Sequence, residues 1–335
     1  MNKIQWLIAS LLVVLSGVAS AQGVNPVPRT QSVSSQTAQY TIQPQTIRQA
    51  NKLPNQDSLA LMKGPWIIDT LEGLVVKTAQ FQNKELFGTN QYIAIIEIPS
   101  TSPFKVALSY EPRRTKTSVQ AQKHHAVAAI NGSFFDMAYH NPICYLKING
   151  KEISENIPMK PGMKTRKYYQ TGTVAIRNGR PMIFRTDSLR NWEHTHLKDS
   201  NIMTAGPLLI YHGKDMPMRT DKEFVAFRHN RSAIGIKEDG SILLVAVDGR
   251  TNYSSGMSLP ELIKTLRWLG CRDALNFDGG GSTTLYLDPV VGAPANAFWR
   301  RNNSTKNGLL NHPTDNGKYD FLGERTVSSC LLIVR

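Results

Sequence analysis

The chain is 335 residues long and carries 39 Lys and Arg against 25 Asp and Glu, a formal net charge of +14, with three cysteines. Three cysteines allow one disulfide at most, and none lies in a C-x-x-C, which excludes a disulfide scaffold, a zinc ribbon and a redox motif. The basic residues are scattered (Arg113, Arg114 and Lys116; Lys160 to Lys167; Arg300 and Arg301) without interleaved stacking aromatics, so they point to anionic glycans or phosphodiesters rather than nucleic acid.

In chain order, Lys3, the apolar stretch Leu7 to Val18 and the small residues Ala19-Ser20-Ala21 read as a secretory signal peptide over residues 1–21, cleaved after Ala21. No later stretch reaches a membrane-spanning length and no cysteine adjoins the cleavage point, so the expectation is a periplasmic or extracellular protein without a membrane span. Residues 22–65 are rich in Gln, Ser, Thr, Asn and Pro and are read as a polar, extended or disordered lead-in, with weak periodicity only around Leu59 to Met62. Residues 66–335 are expected to form a single mixed α/β domain. There, apolar runs recur from Ile67-Ile68 through Leu74-Val75-Val76 and Tyr92 to Ile96 to Phe104 to Leu108, separated by turn residues as strands are.

Three further runs end abruptly in polar, glycine-containing clusters. Ala126 to Ile130 meets Asn131-Gly132-Ser133-Phe134-Phe135-Asp136, Ile242 to Val247 meets Asp248-Gly249-Arg250, and Ala274 to Phe277 meets Asp278-Gly279-Gly280-Gly281-Ser282-Thr283-Thr284. Such runs, rich in Val and Ile in the first two cases, read as strands buried on both faces. Three consecutive glycines let a ligand approach the backbone; the competing reading is an ordinary surface turn.

Between the last two runs, Ser258-Leu259-Pro260-Glu261 is a capping box, and Leu259, Leu262, Ile263, Leu266 and Leu269 follow at helical spacing before Gly270. Strand, helix, strand over 242–277 predicts one β-α-β unit whose two strands run parallel, so that Asp248 and Asp278 share a sheet edge. The fold class expected is α+β (mixed α/β): a largely mixed β-sheet flanked by helices.

Two convergent aspartates beside a glycine loop suit general acid–base hydrolysis, provided their environments separate their pKa values. Arg231 and Arg250 could clamp a phosphate or carboxylate, and the amides of Gly279 to Ser282 could form an anion-binding nest. For either arginine an ordinary salt bridge is the alternative, as a turn-capping role is for either aspartate. His194-x-His196 lacks a third ligand, and no G-x-S-x-G, H-E-x-x-H, P-loop or dinucleotide fingerprint is present. No cofactor or metal is required; Ca²⁺ near Asp136, Asp248 or Asp278 would suit oxygen ligands, but nothing demands it.

The ordered series Asn131-Gly132-Ser133-Phe134-Phe135, Gly206-Pro207-Leu208, Arg231 to Gly235, Val247 to Arg250, the capped helix, Asn276 to Ser282 and Glu324 to Ser329 resembles the phosphodiester glycosidase family from about Tyr92 to Arg335. The resemblance implies hydrolysis of the sugar C1–oxygen bond of glycosyl 1-phosphodiesters, N-acetylglucosamine-1-phosphodiesters among them, or of related anionic envelope glycans. It implies Asp248 and Asp278 as catalytic residues, and Asn131, Gly132, Phe134, Arg231, Arg250, Gly279, Gly280, Gly281, Ser282 and Thr283 as substrate-binding residues. Bacterial relatives are linked to exopolysaccharide or cell-wall glycan processing, which agrees with the leader. Two other readings stay open: a noncatalytic glycan-binding or exopolysaccharide-assembly protein, and a phosphodiesterase cutting P–O.

Overall fold

The computed structural model describes residues 55–71, 73–167, 169–289 and 307–335. The leader expected over 1–21 and most of the polar stretch lie outside the described residues. The end of that stretch is structured: Gln56–Lys63 forms helix α1, capped by the Asn55 side chain, with Leu61 buried and its carbonyl accepting a hydrogen bond from Trp66 Nε1. The ordered fold therefore begins before residue 66. A helix that buries one leucine leaves a polar sequence behind it, which is why composition conceals it.

Strands β1 (Ile67–Leu71), β2 (Leu74–Leu86), β3 (Thr89–Ile98) and β4 (Lys105–Lys116) lead to the short helix α2 (Thr117–Lys123) and β5 (Ala128–Asn131). Next come β6 (Leu146–Ile148), β7 (Lys151–Ser154), β8 (Gly172–Arg177) and β9 (Arg180–Arg185), then α3 (Trp192–His196). They are followed by β10 (Asn201–Ala205), β11 (Leu208–Tyr211), β12 (Lys214–Asp215), α4 (Glu223–Ala226), β13 (Arg231–Lys237) and β14 (Ile242–Val247). Helix α5 (Leu259–Trp268), β15 (Cys271–Asn276), β16 (Leu285–Leu287) and β17 (Thr326–Val334) complete the order.

The strands assemble into an eight-stranded sheet β1-β2-β3-β14-β13-β15-β11-β12, a five-stranded sheet β7-β6-β10-β8-β9 and a four-stranded sheet β16-β5-β17-β4. Every ladder between these strands is antiparallel, and strand outweighs helix at 45% to 14%. The α+β class is compatible with this, while the largely mixed sheet flanked by helices is corrected to mostly antiparallel sheets with few helices. The α5 crossover explains the expectation: β14 and β15 do run parallel, but β13 lies between them and pairs antiparallel with both. The two strands share a sheet without being neighbours.

The eight-stranded sheet is covered on both faces. Ile96, Ala246 and Leu244 pack toward the other two sheets, while Ile95, Val245 and Val247 pack under Leu262 and Leu266 of α5 and beside Leu61 of α1. Apolar residues on both faces make the run Ile242 to Val247 continuous rather than alternating. Helix α5 starts as its sequence dictates: the Ser258 hydroxyl accepts from Glu261 N, Glu261 reaches back to Ser258 N, and Gly270 takes φ +89° after the last turn.

Candidate active site

Asp248 follows β14 and Asp278 follows β15, and because both strands oppose β13 the two aspartates leave the sheet at one edge. Their surroundings differ. Asp248 is fully buried. Its carboxyl group meets only donors: Asn311 Nδ2 at 3.0 Å, His312 N at 3.1 Å from each oxygen, and the His312 ring Nδ1 at 2.8 Å from Oδ2. Asp248 therefore touches protein on all sides.

Asp278 is partly buried, and its main chain is locked: its N donates to Gly132 O at 3.1 Å, and its O accepts from Asn131 Nδ2 at 2.6 Å. Its Oδ1 accepts from Gly279 N at 3.0 Å. Burial pushes its pKa up from 3.8 to about 6, with Ser282, Arg325 and the Gly279 amide pulling the other way. A carboxyl that titrates near neutrality can both give and take a proton under working conditions.

Asn131 is buried and fully engaged, since its Oδ1 accepts from Ser232 Oγ at 2.7 Å and from Thr284 N at 3.1 Å. It ties β5 to β13 and fixes Asp278 rather than facing solvent. Gly132 sits where a Cβ would lie 2.6 Å from Ser329 Oγ and 2.8 Å from Ser329 O, so close approach of two strands demands glycine there. Phe134 joins an aromatic trio with Tyr169 (5.0 Å between centroids) and Phe224 (6.1 Å).

The arginines separate in role. Arg231 is buried, with Nε donating to Met257 O (2.8 Å), Nη2 donating to Phe224 O (2.8 Å) and Phe227 O (2.9 Å), and its guanidinium over the Phe224 ring. Burial, helped by Arg250, lowers its pKa to about 9. Most of its fork is spent on main-chain carbonyls, so it does not present the planar clamp expected of it. Arg250 is exposed, has no carboxylate partner among the described residues, and lies over Gly280, where a Cβ would come 3.3 Å from Nη1 and Nη2. Its Nη2 is 3.2 Å from His229 Nδ1. Burial together with Arg231 and Arg250 lowers the His229 pKa to about 4, so the imidazole is neutral at pH 7 and accepts from Arg250.

The glycine loop is a 3₁₀ turn at Gly280–Ser282. Each glycine admits a close neighbour: Gly279 the carbonyl of Asn230, Gly280 the Arg250 guanidinium, Gly281 the Arg325–Asp315 ion pair. The amide nest is not formed, because Gly279 N goes to Asp278 Oδ1, Gly280 N to Asn230 O, Ser282 N to Gly279 O and Thr283 N to Gly280 O. Ser282 and Thr283 are fully buried, and Thr283 O accepts from Asn311 Nδ2. The buried amide of Asn230 and the hydroxyls of Thr283 and Thr284 have no partner among the described residues, which keeps unspent polarity behind this loop.

Asp136 closes its own turn, accepting from Ala138 N and Tyr139 N. Among the described residues no three His, Cys, Asp or Glu side chains gather as a metal site would require, and His194 pairs with Glu152 while His196 stacks on Trp192. All three cysteines are free and buried. Sequence reasoning missed His229, Asn311, His312 and Asp315. His312 is 64 positions from the aspartate it contacts, with no local motif to mark it.

A family model described as phosphodiester glycosidase matches residues 124–334. The mouse N-acetylglucosamine-1-phosphodiester alpha-N-acetylglucosaminidase is 35% identical over 69 residues, 21% of this chain and 13% of that protein. The SPbeta prophage-derived uncharacterized protein YomE of Bacillus subtilis (strain 168) is 39% identical over 56 residues, 17% and 9% of the two chains. The matched segments thus span about a tenth of the length of these curated relatives. The solved catalytic domain of the zebrafish N-acetylglucosamine-1-phosphodiester alpha-N-acetylglucosaminidase, auto-inhibited by its pro-peptide, shares the fold with a TM-score of 0.55 at 18% identity, covering 84% of this chain and 94% of that one. With its family match running through β5, the Asp248 and Asp278 turns and on into β17, the chain belongs to the phosphodiester glycosidase family.

Proposed function

We propose that the protein is an exported hydrolase that cleaves the sugar C1–oxygen bond of glycosyl 1-phosphodiesters, with Asp278 as its acid–base carboxyl and Arg250 as its phosphate-binding cation. The observation that carries this reading is their juxtaposition: a carboxyl with a pKa of about 6, one residue from the glycine loop covered by a guanidinium that has no carboxylate partner among the described residues. Guanidinium offers phosphate two parallel charge-assisted hydrogen bonds. The departing phosphomonoester has a second pKa of about 6, so Asp278 is matched in acidity to the oxygen it protonates. In the step, a water oxygen bonds to C1 as the C1–O bond breaks. Asp278 gives its proton to the phosphate oxygen, and the water proton is released to solvent.

The sugar would lie toward the aromatic trio around Phe134, whose rings suit the apolar face of a pyranose. The leader-like sequence over 1–21 supports an envelope or exopolysaccharide setting. Among the described residues no helix is long and apolar enough to cross a membrane. A panel of glycosyl 1-phosphodiesters hydrolysed in ¹⁸O-labelled water tests the proposal. Label in the released sugar is expected. Label in the phosphate would assign the cut to P–O, and binding without turnover across the panel would leave a glycan-binding protein.

A further inference from the structure

The buried Asp248 poses a question the acid–base reading leaves open, because a carboxyl enclosed by donors cannot touch substrate. Its partner His312 can. The His312 ring borders a hollow of about 330 Å³ whose wall includes Ile67, Gln80, Tyr92, Tyr319 and Phe321. Polar atoms around it hold partners: Tyr92 Oη donates to Leu310 O (2.9 Å), the Thr78 side chain hydrogen-bonds Tyr92, Tyr319 Oη donates to Gln80 Oε1 (3.0 Å), and Gln80 Nε2 donates to Tyr253 O (2.8 Å). His312 Nε2 makes no hydrogen bond among the described residues, and the side chain is 13% exposed. The ring is clamped by stacking on Tyr319 (4.0 Å, 19°) and edge contact with Tyr92 (4.8 Å, 77°), and Tyr319 stacks in turn on the exposed Tyr253. Burial and the nearby Asp248 both push the Tyr92 and Tyr319 phenols upward, so neither competes as a charged group.

The hollow lies on the same sheet edge as the reacting carboxyl. Tyr92 near the start of β3, Asp248 after β14, Asn230 before β13 and Asp278 after β15 follow one another across four adjacent strands, and Tyr92 O accepts from Asp248 N. Three strand spacings, about 14 Å, separate the Tyr92 backbone from that of Asp278, and Arg250 follows Asp248 between them. We infer that Asp248 is a positioning residue that holds the His312 proton on Nδ1, so that Nε2 is presented as an acceptor to a hydroxyl on the phosphomonoester side of the substrate. This rests on the glycosyl phosphodiester reading.

Asp248→Asn is a sharp test because every partner of the carboxyl is a donor. One side of the new amide must donate, and it can be accommodated by moving the imidazole proton to Nε2, which turns the acceptor into a donor at nearly constant shape. With one sugar 1-phosphate esterified either to a hexitol or to methanol, the variant is expected to raise KM about 3- to 10-fold more for the hexitol ester than for the methyl ester, the scale of one hydrogen bond, because the hydroxyl must then accept where it had donated and its own proton loses its partner. His312→Asn should match it, while His312→Gln, whose terminal amide reaches the Nε2 position, should restore the hexitol ester. Equal losses on both esters, or none on either, would overturn the inference. Ring ¹⁵N spectra with free hexitol phosphate separate this outcome from failure of the phosphodiester reading. Should the wild-type protein cleave neither ester, a shifted His312 Nε2 signal would still support the subsite and an unmoved one would remove it.

Discussion

Asp278 and Asp248 differ by what surrounds them more than by where the sheet puts them. Asp278 binds a proton more tightly folded than unfolded, since burial raises its pKa from 3.8 to about 6. The sign follows: the folded state holds an extra proton between those values, so this group's contribution is present below pH 4 and is lost as pH rises through 6. Asp278→Asn should therefore gain stability on the wild-type protein between pH 4 and pH 7.5, by at most about 3 kcal/mol because the side chain keeps some contact with water. Its turnover should fall at least about 10²-fold. Paired urea melts and rates would check both, and a variant that is unchanged in rate removes Asp278 from the chemistry. The arginines make a second contrast. Lysine at 231 can serve one of the three carbonyls that Arg231 holds, so Arg231→Lys should cost about 1–3 kcal/mol of stability by leaving buried acceptors unpaired. Arg250→Lys, at an exposed site, should leave the melt unchanged and slow a phosphodiester more than an uncharged aryl glycoside of the same sugar. The reverse pattern would return the phosphate to Arg231.

Elements with strong local signals were readable from residues alone. The capping box of α5, its apolar face and Gly270 specify start, orientation and stop within a dozen positions, and β14 is bounded by its own apolar run. Helix α1 was not readable, because Gln56 is exposed, Asp57 and Ser58 are half-buried polar residues, and one buried leucine carries no periodicity. Tertiary contact makes that helix: Leu61 joins the cluster formed by Phe81, Leu262 and Leu266, and the Asp57 carboxylate accepts from Phe87 N at 2.7 Å. Leu61→Ala should then cost about 2–5 kcal/mol, as a large-to-small change in a packed core does. Removing everything before residue 66 should lower the thermal midpoint further by uncovering Phe81. A truncated protein that melts with the full chain would show that α1 adds nothing to the fold.

At the scale of the whole molecule the candidate site is a seam between two sheets, and this is what a linear reading could not reach. Asp248 and Asp278 come from the eight-stranded sheet, whereas Asn131 belongs to β5 of the four-stranded sheet and Arg325 immediately precedes β17 of that sheet. The glycine motif and both aspartates were legible because each ends its own apolar run. The neighbours that set their chemistry were not, since His312 meets Asp248, and Asn131 meets Asp278, across 64 and 147 positions. The Arg325–Asp315 pair, packed against Gly281, lets one sheet tune a carboxyl of the other, for Arg325 lowers the Asp278 pKa that burial raises. Neutralising it removes a cation and leaves the Asp315 charge without its partner, and both changes disfavour an ionised Asp278. Arg325→Gln should thus move the pH limb of kcat that reports Asp278 to higher pH by up to about one unit, while Arg325→Lys, which keeps the charge, should move it less. Bell-profile measurements on the three proteins decide the matter, since a limb fixed in place in Arg325→Gln would mean that the two sheets meet at this seam without electrostatic coupling.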